Sequence, residues 1–422
     1  MTEVAGARGI AAAEGAAGRA GSGEGAGARL PLLDVLRGVA ILGTLMSNIW
    51  IFAAPGAEWG VLTGGAGPAA GSDWSSPAGV AETVFRGLAN GKFLAMLTIL
   101  FGVGLAIQFR SAAKHGQPWP GQYKWRALFL FAEGTVHFVL VFAWDVLMGY
   151  AVVAMLVAWL LTRSARAQRA TWITMGVLHL TATTLMTVAV VLTSGDESGG
   201  SGGGQGGADA DAGAVTLYAE GSYAQQILFR LSHAAVLRME PVISFALLVF
   251  LFLLGVRLFR AGAFQDDAAG RRIRRRLAGW GLGIGLPLNA FTLLWGSGFF
   301  LLERYLAAPV LAIGYLGLIG MAMDRLRRPD PQPSTLTSAV TVALTSVGRT
   351  ALSCYVLQNV LAMLACYGLG LGLASHWADR GPWWVMGLWA TICLVLVTGA
   401  SLWLRRFEHG PLETLQKRLL RR

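Results

Sequence analysis

The stretch VLRGVAILGTLMSNIWIFA, Val35 to Ala53, decides the fold, because Arg37 is its only charged side chain. Coiled as a helix it rises about 28 Å, close to the roughly 30 Å hydrocarbon thickness of a bilayer. Further apolar runs repeat the pattern at Phe93 to Phe109, Ala127 to Ala143, Val146 to Leu161, Thr171 to Thr193 and Pro241 to Phe259. Four more occur at Leu277 to Trp295, Tyr305 to Met323, Thr350 to Ala374 and Trp383 to Leu404. The chain is therefore expected to be all-α, a polytopic transmembrane helix bundle of about ten spans.

Composition agrees: 55% of the residues are hydrophobic and only 14% charged, too few to keep a chain of this kind dispersed in water. The net charge of +11 does not point to nucleic acid, since the basic residues are scattered between apolar runs instead of gathered on one polar domain. Cys354, Cys366 and Cys393 all sit inside apolar runs, so no disulfide framework is legible, and no metal ligand set is expected.

Basic residues between spans are retained on the cytoplasmic side, so they report topology. Lys114, Lys124 and Arg126 fall in the second connection, Arg163, Arg166 and Arg169 in the fourth. Arg271 to Arg276 fill the sixth and Arg325, Arg327 and Arg328 the eighth. Acidic residues favour the odd connections, as with Asp196, Glu197, Asp209 and Asp211 after Thr193. Both termini are expected in the cytoplasm. Residues 1–28, nearly all Ala, Gly, Glu and Arg, read as a disordered tail, and nothing there resembles a cleaved signal peptide. Residues 29–193 then form an N-terminal five-helix half with the candidate site, and 194–226 a Gly-rich extracytoplasmic linker. Residues 227–413 form a C-terminal five-helix half, followed by a basic tail at 414–422.

Ionisable groups inside spans are costly in lipid, which makes each one a candidate for pairing or for lining a cavity. His137 and Glu133 are four residues apart on one helix face, where an imidazole beside a carboxylate is a better proton acceptor; a satisfied packing histidine is the plainer alternative. Asp145 either caps the helix after the Trp144 turn or orients a histidine. Asp34 and Arg37 either pair or leave Arg37 to hold a phosphate. Asn48 is a further candidate substrate contact in the first span. After Arg349 come Ser353, Tyr355, Gln358 and Asn359, too polar for a lipid-facing helix, so they join a packing seam or line a cavity. Lys92 is expected to snorkel to an interface, His179 to serve helix packing, and Gly281, Gly283 and Gly285 to bring helices close.

The opening run RLPLLDVLRGVAILGTLMSNIW, Arg29 to Trp50, resembles that of the bacterial YeiB-like membrane proteins. The resemblance continues through FLAMLTILFGVGLAIQF from Phe93, GTVHFVLVFAWDVLMGYA from Gly134, LLGVRLFRAG from Leu253, GRTALSCYVLQNVL from Gly348 and RRFEHGPLE from Arg405. The opening run is also similar to that of transmembrane acyltransferases, including the heparan-glucosaminide acetyltransferase type. Those enzymes carry an acyl group from a cytoplasmic coenzyme A thioester to a hydroxyl or amine. The resemblance implies catalytic roles for His137 and Asp145, with Asp34, Arg37 and Arg349 as further polar positions. Glu133 departs from the family pattern, where an apolar residue is typical, so His137 alone or with Asp145 is preferred to a Glu133–His137 dyad.

The expected protein is thus an acyltransferase of the bacterial plasma membrane, with acyl-CoA as donor and a small-molecule or lipid-linked acceptor. His137 and Asp145 would be catalytic, and Asp34, Arg37, Asn48, Arg349, Tyr355 and Gln358 would contact substrate. The alternatives are a transporter of a small molecule, which matching broken helices in both halves would have favoured, and a membrane-bound cyclase acting on an isoprenoid.

Overall fold

A backbone surrounded by lipid must satisfy its own hydrogen bonds, and a helix does so within one segment. The computed structural model describes residues 30–63, 73–196, 205–295, 297–327 and 334–420, and among them no strand occurs. The main helices are α1 Pro31–Ala53, α2 Pro77–Ala89, α3 Lys92–Lys114, α4 Tyr123–Leu140, α5 Leu147–Leu160, α6 Ala165–Asp196, α7 Gln205–Glu220 and α8 Tyr223–Ser232. After them come α9 Phe245–Arg260, α10 Ala268–Trp295, α11 Ala308–Leu326, α12 Thr335–Arg349, α13 Ala351–Cys366, α14 Trp383–Trp403 and α15 Pro411–Leu420. The described residues from Leu32 onward pack as one unit.

Every apolar run of the sequence is mainly helical, but fewer than ten of these helices suffice to cross a membrane. Six are long and apolar enough, and the bent pair α12–α13 would make a seventh. The shortfall has physical causes: α5 has 14 residues and rises only about 21 Å, while α4 carries Lys124, Arg126 and Glu133. The pair α12–α13 turns through 90° at Thr350.

The connections gather at two ends. At one, Arg260 bonds Gln168, Arg327 pairs with Asp266 and the Trp119 indole reaches the Ala158 carbonyl, so the basic connections lie together. Arg349 and Glu408 meet at this basic end as well. At the opposite end, Glu58, Trp144, Tyr218 and Arg230 are in contact. Helix α1 crosses α12 with its backbone almost touching: a Cβ on Gly348 would stand 1.7 Å from the Asp34 carbonyl oxygen, so only glycine fits.

Three expectations need correction. The stretch 194–226 is not a plain linker, for α7 forms within it and Tyr218 is buried against Glu58. Residues 414–420 continue α15 instead of forming a tail. Lys92 does not snorkel; it is fully buried and its ammonium lies 3.1 Å from Glu303, because a partner across the bundle replaces the water it would otherwise seek. Gly281 and Gly285 do lie against α11, whereas Gly283 faces open space. His179 bonds the Tyr305 carbonyl at 2.7 Å, a helix-packing contact. The expected tail at 1–28 lies outside the described residues.

Candidate functional site

Helix α4 ends at Leu140, and the chain turns through Trp144 and Asp145 into α5, which folds Asp145 back over the last turn of α4. His137 Nδ1 lies 2.9 Å from Asp145 Oδ1, and both residues are buried. Asp145 Oδ2 accepts from the Leu147 backbone N–H at 2.9 Å, so the carboxylate satisfies a first-turn amide of α5 and holds the histidine together. Arg238 donates to the Asp145 carbonyl at 2.7 Å and lies over the Phe138 ring.

Helix α13 supplies the other side. The Tyr355 hydroxyl donates to Asp145 Oδ1 at 3.1 Å, and Asn359 Nδ2 lies 3.3 Å from His137 Nε2. With Asn359 donating, the ring is neutral and its Nδ1–H points at Asp145. Gln358 donates to Thr44 at 3.3 Å, which ties α13 to α1. Ser353 bonds Glu413 of α15. The polar run after Arg349 therefore divides: Tyr355 lines cavities, while Ser353, Gln358 and Asn359 join helices. Glu133 bonds neither His137 nor any other residue; both its carboxyl oxygens are buried without a partner.

Tyr355 borders two cavities. The one at the basic end, about 340 Å³, is lined by Arg37, Arg126, Arg349, Tyr123, Gln108 and Glu413, among others. Arg37 pairs with Asp34 at 3.3 Å, and the buried Arg349 Nε has no partner. The opposite cavity, about 310 Å³, includes Asn48, Asn90, Glu240, Arg304 and Tyr305 together with Trp50 and Trp144. Arg304 donates to Glu240 at 2.9 Å and to Asn90 at 3.0 Å. A π-helical turn at Glu303–Ala307, the kind of irregularity that marks functional sites, carries both Arg304 and Tyr305. His137, Asp145, Asp34 and Gln358 line neither cavity.

Above the site sits a network that sequence reasoning missed. Glu58 is fully buried and accepts from Arg230 at 2.8 Å, Tyr218 at 2.6 Å and the Ala143 amide at 2.9 Å. Burial and the adjoining Glu58 hold the Tyr218 phenol well above its ordinary range, so it remains a donor. This network fixes the residues just before Asp145. The available signals were an acid in the short loop after α1 and an isolated arginine beyond the Gly-rich stretch, and neither names its partner.

Fold and site define an all-helical polytopic membrane protein with a buried His–Asp centre between two cavities. A sequence family described as Protein of unknown function (DUF418) matches residues 258–422. The chain is 26% identical over 397 residues to the uncharacterized protein YxaH of Bacillus subtilis (strain 168), covering 92% of this chain and 93% of that one. It is 28% identical over 407 residues to the uncharacterized protein YeiB of Escherichia coli (strain K12), covering 92% and 95%. The chain is thus similar over nearly its whole length to two uncharacterized YeiB-like proteins. No solved structure matches it.

Proposed function

We propose that the protein is an acyl-CoA-dependent acyltransferase of the bacterial plasma membrane, taking its donor at the basic end and its acceptor, a hydroxyl or amine, at the opposite end. The observation that carries this reading is Tyr355, which borders both cavities and hydrogen-bonds the carboxylate that His137 holds. Arg126 and Arg349 would hold the coenzyme's phosphates through charge-assisted bonds, with Arg37 beside them.

The acceptor oxygen attacks the thioester carbonyl carbon, a C–O bond forms and the C–S bond breaks. The acceptor's proton passes to the Tyr355 oxygen as Tyr355 gives its own to Asp145, and it returns by the same route to the leaving thiolate. His137 Nδ1–H and the Leu147 amide keep Asp145 in place throughout. In this scheme His137 is a positioning residue. Direct acyl carriage on His137 would require Nε2 to leave Asn359.

Protein reconstituted in bacterial membrane lipids and given radiolabelled acetyl-CoA is expected to release free coenzyme as label passes to a hydroxyl- or amine-bearing acceptor, and to lose this turnover roughly a hundred-fold on Tyr355→Phe. Absence of turnover in a folded preparation would sink the reading. Transport is the second reading, favoured by the cavities at opposite ends and by the 90° break between α12 and α13. Solute uptake into vesicles without coenzyme release would establish it instead.

A further inference from the structure

The cavity opposite the basic end combines three properties. First, it holds hydrogen-bond donors with nothing to donate to: Trp50 Nε1 and Asn90 Nδ2 lack partners although each residue is only 5% exposed. Leaving such donors unpaired is costly, and acceptor oxygens of a ligand seated against these side chains would relieve both. Second, its charges are balanced. Arg304 pairs with Glu240 and Arg86 with Glu82, leaving no excess of positive charge to offset the desolvation of an anion. Third, its mouth is apolar: Leu62, Met239 and Ile243 line it, yet they are 39%, 46% and 40% exposed. Apolar side chains left exposed at the rim of a cavity suit contact with hydrocarbon better than with water. A water-soluble ligand gains nothing from that entrance, whereas a lipid slides its headgroup through and leaves its chains outside.

We propose that this cavity binds the headgroup of an uncharged, hydroxyl-bearing membrane lipid, which enters sideways between Leu62, Met239 and Ile243. The proposal rests on the acyl-transfer reading only for the lipid's role as acceptor; binding stands by itself. Asn90, Trp50, Thr44, Val146 and Tyr355 line the same cavity, so the headgroup's hydroxyls would meet these side chains inside it.

The full chain in phosphatidylcholine nanodiscs, without acyl-CoA, is exposed to a photoreactive monoglucosyl diacylglycerol and the labelled peptides are identified by mass spectrometry. Labelling is expected around residues 47–51, 86–94 and 239–243, and unlabelled glycolipid should compete while free glucose and phosphatidylglycerol should not. Ile243→Trp narrows the mouth from an exposed position that folding does not need, and should reduce labelling about ten-fold, equivalent to 1.4 kcal/mol. Asn90→Leu should weaken it in the same direction. Competition by glucose would overturn entry from the bilayer, and equal competition by phosphatidylglycerol would overturn the uncharged headgroup. Labelling indifferent to Ile243→Trp would reduce the contact to annular lipid and end the proposal. Acyl transfer to a soluble alcohol without lipid labelling would remove this inference and leave the enzymatic reading intact.

Discussion

His137 and Asp145 meet across the α4–α5 turn at 2.9 Å, with no water-exposed surface between them and a second donor, Tyr355, on the same carboxylate oxygen. Three donors on one buried carboxylate keep it fixed, and that fixity is what a proton relay requires.

Replacement of Asp145 tests the relay. Asp145→Asn keeps the shape but turns one acceptor oxygen into a donor, which leaves either the His137 and Tyr355 side or the Leu147 amide facing an N–H. A roughly hundred- to ten-thousand-fold fall in acyl transfer is expected, with a stability loss of about 1–3 kcal/mol. His137→Gln separates chemistry from packing, since the amide can donate to Asp145 without the imidazole's geometry. Near-full activity in a folded Gln variant is expected if His137 only positions Asp145, whereas a complete loss would give the imidazole a direct part in the proton transfer.

The Glu58–Arg230 pair governs stability instead of chemistry. Arg230→Met strands a fully buried carboxylate and should cost about 3–5 kcal/mol, as should Glu58→Leu, whereas the double variant should recover much of the loss. Thermal melts of detergent-solubilised protein measure the cycle. Additive losses would mean that the two charges are not coupled.

Much of this was readable from the chain and part of it was not. The span at Val35–Ala53 and the helical character of every apolar run come from length and hydropathy, which a helix in lipid expresses directly. His137 and Asp145 stood out because polar groups are rare inside such runs. Lys92 was misread because its partner Glu303 lies 211 residues away, and a lone lysine near a helix end has the same pattern whether it snorkels or pairs. Helix α7 was hidden by its glycines, since what holds Tyr218 is Glu58, 160 residues earlier. Hydrogen bonds between distant segments leave no periodicity to read.

Donor binding at the basic end should depend on Arg126 and Arg349 and weaken with salt. Arg126→Gln and Arg349→Gln are each expected to raise KM for acyl-CoA by about ten-fold with little change in kcat, as ground-state contacts do. Calorimetric titration with coenzyme A checks the same point without turnover. Unchanged affinity in the double variant would move the donor elsewhere.

The last prediction concerns Glu413, a residue from the end of the chain that holds the centre. Helix α13 begins abruptly after the 90° turn, and its first amides have no carbonyl of their own to bond. Glu413 of α15 fills that gap: Oε1 accepts from the Leu352 and Ser353 amides at 2.8 and 3.3 Å, and Oε2 from the Ser353 hydroxyl. The negative charge also opposes the positive end of the helix dipole. Tyr355 sits two residues beyond Ser353, so a frayed first turn would move its hydroxyl away from Asp145. Glu413→Ala should cost about 1 kcal/mol of local stability and speed amide exchange at Leu352 and Ser353, with a matching fall in acyl transfer. Glu413→Gln retains an acceptor oxygen and should restore much of both. If exchange at those amides is unaltered in the Ala variant, α15 does not hold α13, and the link from the C-terminal helix to Tyr355 fails.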